Sequence, residues 1–197
     1  MTPKQTQRLI KKIADIKRAL AAEKRTFGGY DDSRGLRYLP TRYYIQLADY
    51  KGGLVYTRWF AKTFPDDIVF PDFLFEWAVL LFKAGKFAEA KAKIWQTFCA
   101  NTYLFDKYFG HPIQPLPIYE WSNLAQAGFT DYFTYSHQQS ELLDFSQWLE
   151  EFMVSEPFTT RKARYLILHQ QLKMEDDLER RDYLRQEADQ LENAIKF

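Results

Sequence analysis

The sequence predicts an all-α fold in which antiparallel helical hairpins stack as a short α-α solenoid, closed by a long C-terminal helix. Three observations carry that expectation. Apolar residues recur at steps of three and four through most of the chain. Glycine and proline fall between the periodic segments, where helices start and stop. No strand-like alternation persists anywhere. With 197 residues, 46% of them hydrophobic and 18% aromatic, the chain has the apolar content for one ordinary folded domain, and a single all-helical domain over 1–197 is expected.

Residues 4 to about 26 place Leu9, Ile13, Ile16 and Leu20 on one helical stripe, with basic residues on the remaining faces. Phe27-Gly28-Gly29 ends that helix, and residues 28–40 read as a structured loop. Pro40 suits a first helical turn, because its missing N–H lacks an intrahelical partner there in any case. A helix Thr41–Tyr50, a turn at Gly52-Gly53 and a return helix Leu54–Thr63 then form a first hairpin, stopped at Phe64-Pro65-Asp66-Asp67. Pro71-Asp72 opens the next helix, in which Leu74, Trp77, Ala78 and Leu81 share a face. Ala84-Gly85-Lys86 turns the chain, and Phe87, Ala90, Ile94 and Phe98 line the partner helix.

The segments LADYKGGLVYTRWFAKTFPDD (47–67) and LFKAGKFAEAKAKIWQTFCAN (81–101) resemble the turn and second helix of a tetratricopeptide (TPR) repeat. Each has a turn before an aromatic residue (Tyr50, Phe87) and a small residue three positions later (Gly53, Ala90), and the first copy closes on Pro65. The copies stand one family period of about 34 residues apart, plus Ile68-Val69-Phe70. Two departures accompany the match: Pro40 truncates the first helix of the first copy, and Thr102 stands where the family places proline. The resemblance covers residues 36–101 and implies a TPR-like superhelix whose first helices line a groove for a protein or peptide partner. On that implication the groove and the loop before it present Tyr30, Arg34, Arg37, Tyr38, Arg42, Gln46, Phe75, Val79, Phe82 and Lys83. Within the loop, Asp31 and Asp32 add acceptors to the aromatic and arginine side chains, a composition typical of interface hot spots and equally of a self-contained cap. The paired Lys and Asn of the family's carboxylate clamp are not evident at these positions.

Beyond Asn101 a short helix over Tyr103–Phe109 gives way to a loop at Gly110–Pro117, where three prolines forbid a helix. Helices are expected at about Ile118–Ala127 and Thr130–Tyr135. Another begins at Ser140, with Leu142, Phe145, Trp148, Leu149 and Phe152 on one side, and stops at Ser155-Glu156-Pro157. One long helix is expected from Thr159 or Thr160 to about Ile195. Its charged middle pairs Asp176 with Arg180 and Asp177 with Arg181 at i,i+4. Its seam of Leu184, Ala188, Leu191 and Ile195 suits another helix, either of this chain or of a second copy in a homo-oligomer.

The chemistry-bearing residues are sparse. His111, His137 and His169 stand at no metal-ligand spacing, and the adjacency of Ser136 and His137 builds no nucleophile–base pair. Gly28-Gly29 and Gly52-Gly53 fit no phosphate-loop pattern. The single cysteine, Cys99, excludes an internal disulfide and reads as a buried small hydrophobe. No catalytic residue, metal or cofactor is therefore expected, and the expected role is protein–protein interaction or scaffolding. The lone cysteine and the absence of a signal-type or membrane-spanning apolar run point to the cytoplasm. A formal net charge of +1 gives no general attraction to nucleic acid. The rival reading is a nucleic-acid-associated protein that binds through the N-terminal helix, where Lys4, Arg8, Lys11, Lys12, Lys17, Arg18, Lys24 and Arg25 face only Asp15 and Glu23. Such a face suits a polyanion, a solvated surface, or packing on the acidic C-terminal helix.

Overall fold

The computed structural model describes residues 1–30 and 32–194, and Asp31 and Ile195 of the reading above lie outside them. Helices and connecting segments make up the described residues, with no strand among them. The chain divides into two compact units, Met1–Gly85 and Lys86–Phe197, where one continuous domain is expected from sequence. The division falls in the Ala84–Lys86 turn, where Gly85 adopts φ +73°, so the two limbs of the second predicted hairpin belong to different units.

The first unit contains α1 (Pro3–Phe27), α2 (Leu39–Gln46), α3 (Tyr50–Thr63) and α4 (Pro71–Lys83), with a single 3-10 turn at Leu36–Tyr38. α1 starts on a capping box, in which Thr2 and Gln5 satisfy each other's backbone N–H groups, and it ends on left-handed Gly28. Its stripe buries Ile13, Ile16 and Leu20. α2 and α3 pack side by side, and α4 packs against both.

The turn of the first hairpin is not at Gly52-Gly53. It lies at Leu47–Asp49, with Ala48 at φ +53°, and Asp49 caps α3 by accepting the Gly52 N–H at 2.9 Å. Both glycines therefore sit in the first turn of α3, and Gly53 serves packing: a Cβ there would lie 2.5 Å from Leu80 Cδ2 of α4. Leu80 is fully buried and has nowhere to retreat. Gly53→Ala is expected to lower stability by roughly 1–2 kcal/mol despite alanine's better helix propensity. Chemical denaturation measures this, and an unchanged or raised midpoint would contradict the close approach.

The second unit contains α5 (Phe87–Ala100), α6 (Leu104–Phe109), α7 (Leu143–Met153), α8 (Glu156–Met174) and α9 (Leu178–Glu192). Trp95 and Phe98 of α5, Phe158 and Tyr165 of α8 form a buried aromatic cluster. The helix expected at Ile118–Ala127 is absent. That segment is an irregular strap, held by Asn101 Nδ2 donating to the carbonyls of Leu124 and Gln126 at 2.7 and 3.0 Å. Thr130–Tyr135 is likewise replaced by a 3-10 helix, Ala127–Tyr132. Ser155-Glu156-Pro157 separates α7 from α8, but Ser155 is itself the N-cap of α8, so the start expected at Thr159 or Thr160 comes earlier.

The long C-terminal helix is two helices. α8 stops at Met174, Glu175 turns extended, and Asp177 caps α9 by accepting the Arg180 N–H at 2.8 Å. Arg181 Nη1 donates to the carbonyls of Leu172 and Glu175 at 2.7 and 2.6 Å, satisfying the end of α8. α9 folds back on α8, and Leu184 and Ala188 of the predicted seam are buried with Leu168 and Leu172, with Leu191 packed alongside. Among the described residues the seam's apolar partner is this chain's own α8.

Candidate functional site

Of the ten residues expected to bind a partner, Phe75 and Val79 are fully buried and offer no groove surface. α4 packs on both α2 and α3. Gln46 and Arg34 are exposed, while Phe82 and Lys83 are half-buried.

Arg37, Tyr38 and Arg42 are engaged within the first unit. The buried Asp32 carboxylate accepts the backbone N–H groups of Leu36 and Arg37 at 2.7 and 2.9 Å and Arg37 Nη1 at 3.1 Å. Arg37 Nε reaches Asp67 at 2.7 Å, and the Tyr38 hydroxyl donates to the other Asp67 oxygen at 2.6 Å. Burial alone would pull the Arg37 guanidinium down, but its bonds to Asp67 and Asp32 hold it above its ordinary value. Tyr38 is pushed up by burial and by its bond to Asp67. Arg42 pairs with Glu76 at 3.0 Å and Asp72 at 3.3 Å. This constellation is a cap that pins the loop to the first hairpin; its charged groups face one another.

An open surface exists elsewhere on the same unit. A cavity of about 330 Å³ lies between α1 and α3, lined by Lys17, Ala21, Tyr30, Val55, Tyr56 and Trp59. The anchored loop carries Tyr30 over α3, where its ring meets Trp59 edge-on at 6.0 Å and Phe64 at 5.0 Å. Lys17 Nζ donates to the Tyr44 hydroxyl at 2.7 Å and lies 5.8 Å from the Tyr56 ring centre, and Lys24 stands 5.5 Å over Tyr30. Val55 is 62% exposed on the rim. Tyr30 is the one predicted partner residue that lines this cavity; Val55 and Trp59 were not anticipated there. The available signal is the spacing of Lys51, Val55, Arg58 and Lys62, one exposed stripe of α3 in which a valine stands among cations.

The electrostatics around it are one-sided. All eight Lys and Arg of α1 are exposed. Residues 1–85 hold 15 Lys and Arg against nine Asp and Glu, whereas residues 86–197 hold 12 against 17. The near-neutral chain thus comprises a basic unit and an acidic one.

The cysteine and the histidines lie in the second unit. Cys99 is buried, and burial pushes its thiol well up, away from the reactive thiolate. His137 Nδ1 lies 3.0 Å from the Tyr108 carbonyl, and exposed His111 lies 3.6 Å from Asp106. Lys93 is pulled down to about 8 by burial. Among the described residues no group of three or more His, Cys, Asp or Glu side chains is placed to hold a metal ion, and no helix is long and apolar enough to cross a membrane. Compared with protein-family models, curated proteins and solved structures, the chain matches none.

Proposed function

We propose that this protein is a TPR-like interaction module that captures an acidic segment of a partner protein on the basic α1/α3 face, with an apolar or aromatic anchor seated in the cavity at Tyr30, Val55 and Trp59. The observation that carries this reading is an aromatic-walled cavity of about 330 Å³ flanked by exposed cations on both helices. Anchors of this kind, surrounded by complementary charge, supply most of the affinity of small interfaces. The TPR-like part of the reading draws on the tight α2–α3 connection and on α4 packed against both helices with Gly53 at the contact. The basic face moves the docking surface away from the α2/α4 groove, where Phe75 and Val79 are buried.

Fluorescence anisotropy with a glutamate-rich peptide carrying one central tryptophan tests the reading. Saturable binding is expected, weakened about tenfold or more by Val55→Glu, which sets a carboxylate on the cavity rim, and by replacing the peptide's tryptophan with serine. Indifference to both changes would contradict it. An oligouridylate that binds more tightly than the peptide, with a steep salt dependence, would replace it with the nucleic-acid reading.

A further inference from the structure

The second unit holds a cavity of about 420 Å³ between α8, α9 and the irregular strap, with Tyr119 and Trp121 on one wall and His169, Asp189 and Glu192 on another. His169 is fixed with unusual definition for a side chain outside any metal site. The Tyr119 N–H donates to the His169 carbonyl at 2.8 Å, and His169 Nδ1 lies 3.0 Å from the Tyr119 carbonyl oxygen. Its ring also stacks on Tyr165 at 4.1 Å. A carbonyl oxygen only accepts, so Nδ1 carries the proton, and in the neutral ring Nε2 is a lone-pair acceptor.

That Nε2 is buried and has no hydrogen-bond partner among the described residues, an arrangement that native interiors rarely tolerate. Its side chain is 5% exposed, and Glu192 Oε1 lies 3.8 Å away, beyond hydrogen-bond length. Glu192 is 33% exposed on a surface helix and is the adjustable member of the pair. A single N–H donor centre can bridge the two atoms, with the ring in place, once the Glu192 side chain shifts to open the buried Nε2 to the cavity. Asp189, one turn before Glu192, adds a second carboxylate to the same wall. Among the described residues the one cation lining the cavity, Arg185, stands 3.7 Å from Asp182. Acceptors and negative charge therefore meet on the polar wall, and the facing wall is aromatic, with Trp121 41% exposed. Anions are repelled by this set, and a bare metal ion finds too few ligands in it.

We propose that this cavity is a small-molecule site for a primary ammonium ion carried on a planar aromatic body. The ammonium bridges His169 Nε2 and Glu192, Asp189 adds to the field that holds it, and the ring lies against Trp121 and Tyr119. The site is separate from the α1/α3 face and does not depend on the partner-binding reading.

The test is calorimetric titration of the full chain with tryptamine, indole-3-ethanol and indole-3-acetate, which share a ring system and differ in the charge of the side chain. Saturable tryptamine binding is expected, at least about tenfold tighter than the alcohol, with no saturable binding of the acid. Glu192→Gln is expected to remove that preference while leaving the helical circular dichroism unchanged. His169→Asn keeps an amide donor for the Tyr119 carbonyl and deletes the Nε2 acceptor, so it is expected to weaken tryptamine more than the alcohol. Equal affinity for amine and alcohol, preference for the acid, absence of tryptamine binding, or an unchanged preference in a folded Glu192→Gln protein would each overturn the assignment.

Discussion

Replacing Arg37 by methionine is expected to cost about 3–5 kcal/mol of stability, the largest loss from any single side chain considered. The Asp32 side chain is fully buried and Arg37 is 20% exposed, so the pair is shielded from the water that would compensate a lost partner. Without the guanidinium, Asp32 keeps two backbone N–H bonds but loses its counter-charge, and Asp67 loses a charged donor and keeps only the Tyr38 hydroxyl. The change also frees the loop that carries Tyr30 over α3, so the cavity loses a wall. Urea denaturation at neutral pH measures the loss. A change within about 0.5 kcal/mol would mean that the network is a surface ornament with the energetics of an exposed ion pair.

Alkaline pH is expected to unfold the protein through its tyrosines. Burial raises Tyr56, Tyr108 and Tyr165, with Tyr108 pushed up to about 12. All three are almost fully buried, and Tyr165 also donates to the Cys99 carbonyl at 2.8 Å. The sign follows from proton counting. Above a pH of about 10 the unfolded chain's phenols ionise while these remain protonated, so the folded state binds more protons and stability falls as pH rises. Each such tyrosine removes about 1.4 kcal/mol per pH unit until its folded-state value is reached. Lys93 acts oppositely. Its ammonium is held down to about 8, so the unfolded chain binds the extra proton above that point and stability climbs toward pH 10. With the buried Cys99 thiol offsetting Lys93 above about pH 9, a stability profile by denaturant titration should rise between pH 8 and about 9, flatten toward 10 and drop steeply beyond. A flat profile to pH 12 would contradict the burial of the phenols.

Much of the helical framework is legible locally, because its signals lie within a few residues of what they control. Pro71-Asp72 and Ala84-Gly85-Lys86 bracket α4, and the stripe of Ile13, Ile16 and Leu20 marks the buried face of α1. Gly52-Gly53 reads as a turn because glycine breaks helices, whereas Asp49, three residues before Gly52, is the N-cap that starts α3 ahead of them. The division of the C-terminal segment into α8 and α9 is harder to see. Asp177 reads there as an i,i+4 partner of Arg181, and the break is sealed by Arg181 reaching back to Leu172 and Glu175. The strap at 117–126 depends on Asn101, more than twenty residues away, which no local pattern announces.

The candidate surfaces follow the same division. Burial of Phe75 and Val79 is foreshadowed by the segment FLFEWAVLLF (73–82), since a helix apolar nearly all round belongs inside. The α1/α3 cavity is not local at all: it requires Asp32 and Arg37 to anchor a loop so that Tyr30 lands beside Trp59. His169 gives no sequence signal because its partners, Tyr119 and Glu192, come from the strap and from α9.

The most direct measurement of the partner-binding reading is amide and indole chemical-shift mapping of the full chain titrated with the glutamate-rich, tryptophan-centred peptide. Perturbations are expected to concentrate at the Trp59 indole N–H and the backbone of Lys17, Ala21 and Val55, fading toward Gln46 and Lys83. Shifts centred on Gln46 and Lys83, or no saturable shifts at the Trp59 indole, would contradict it.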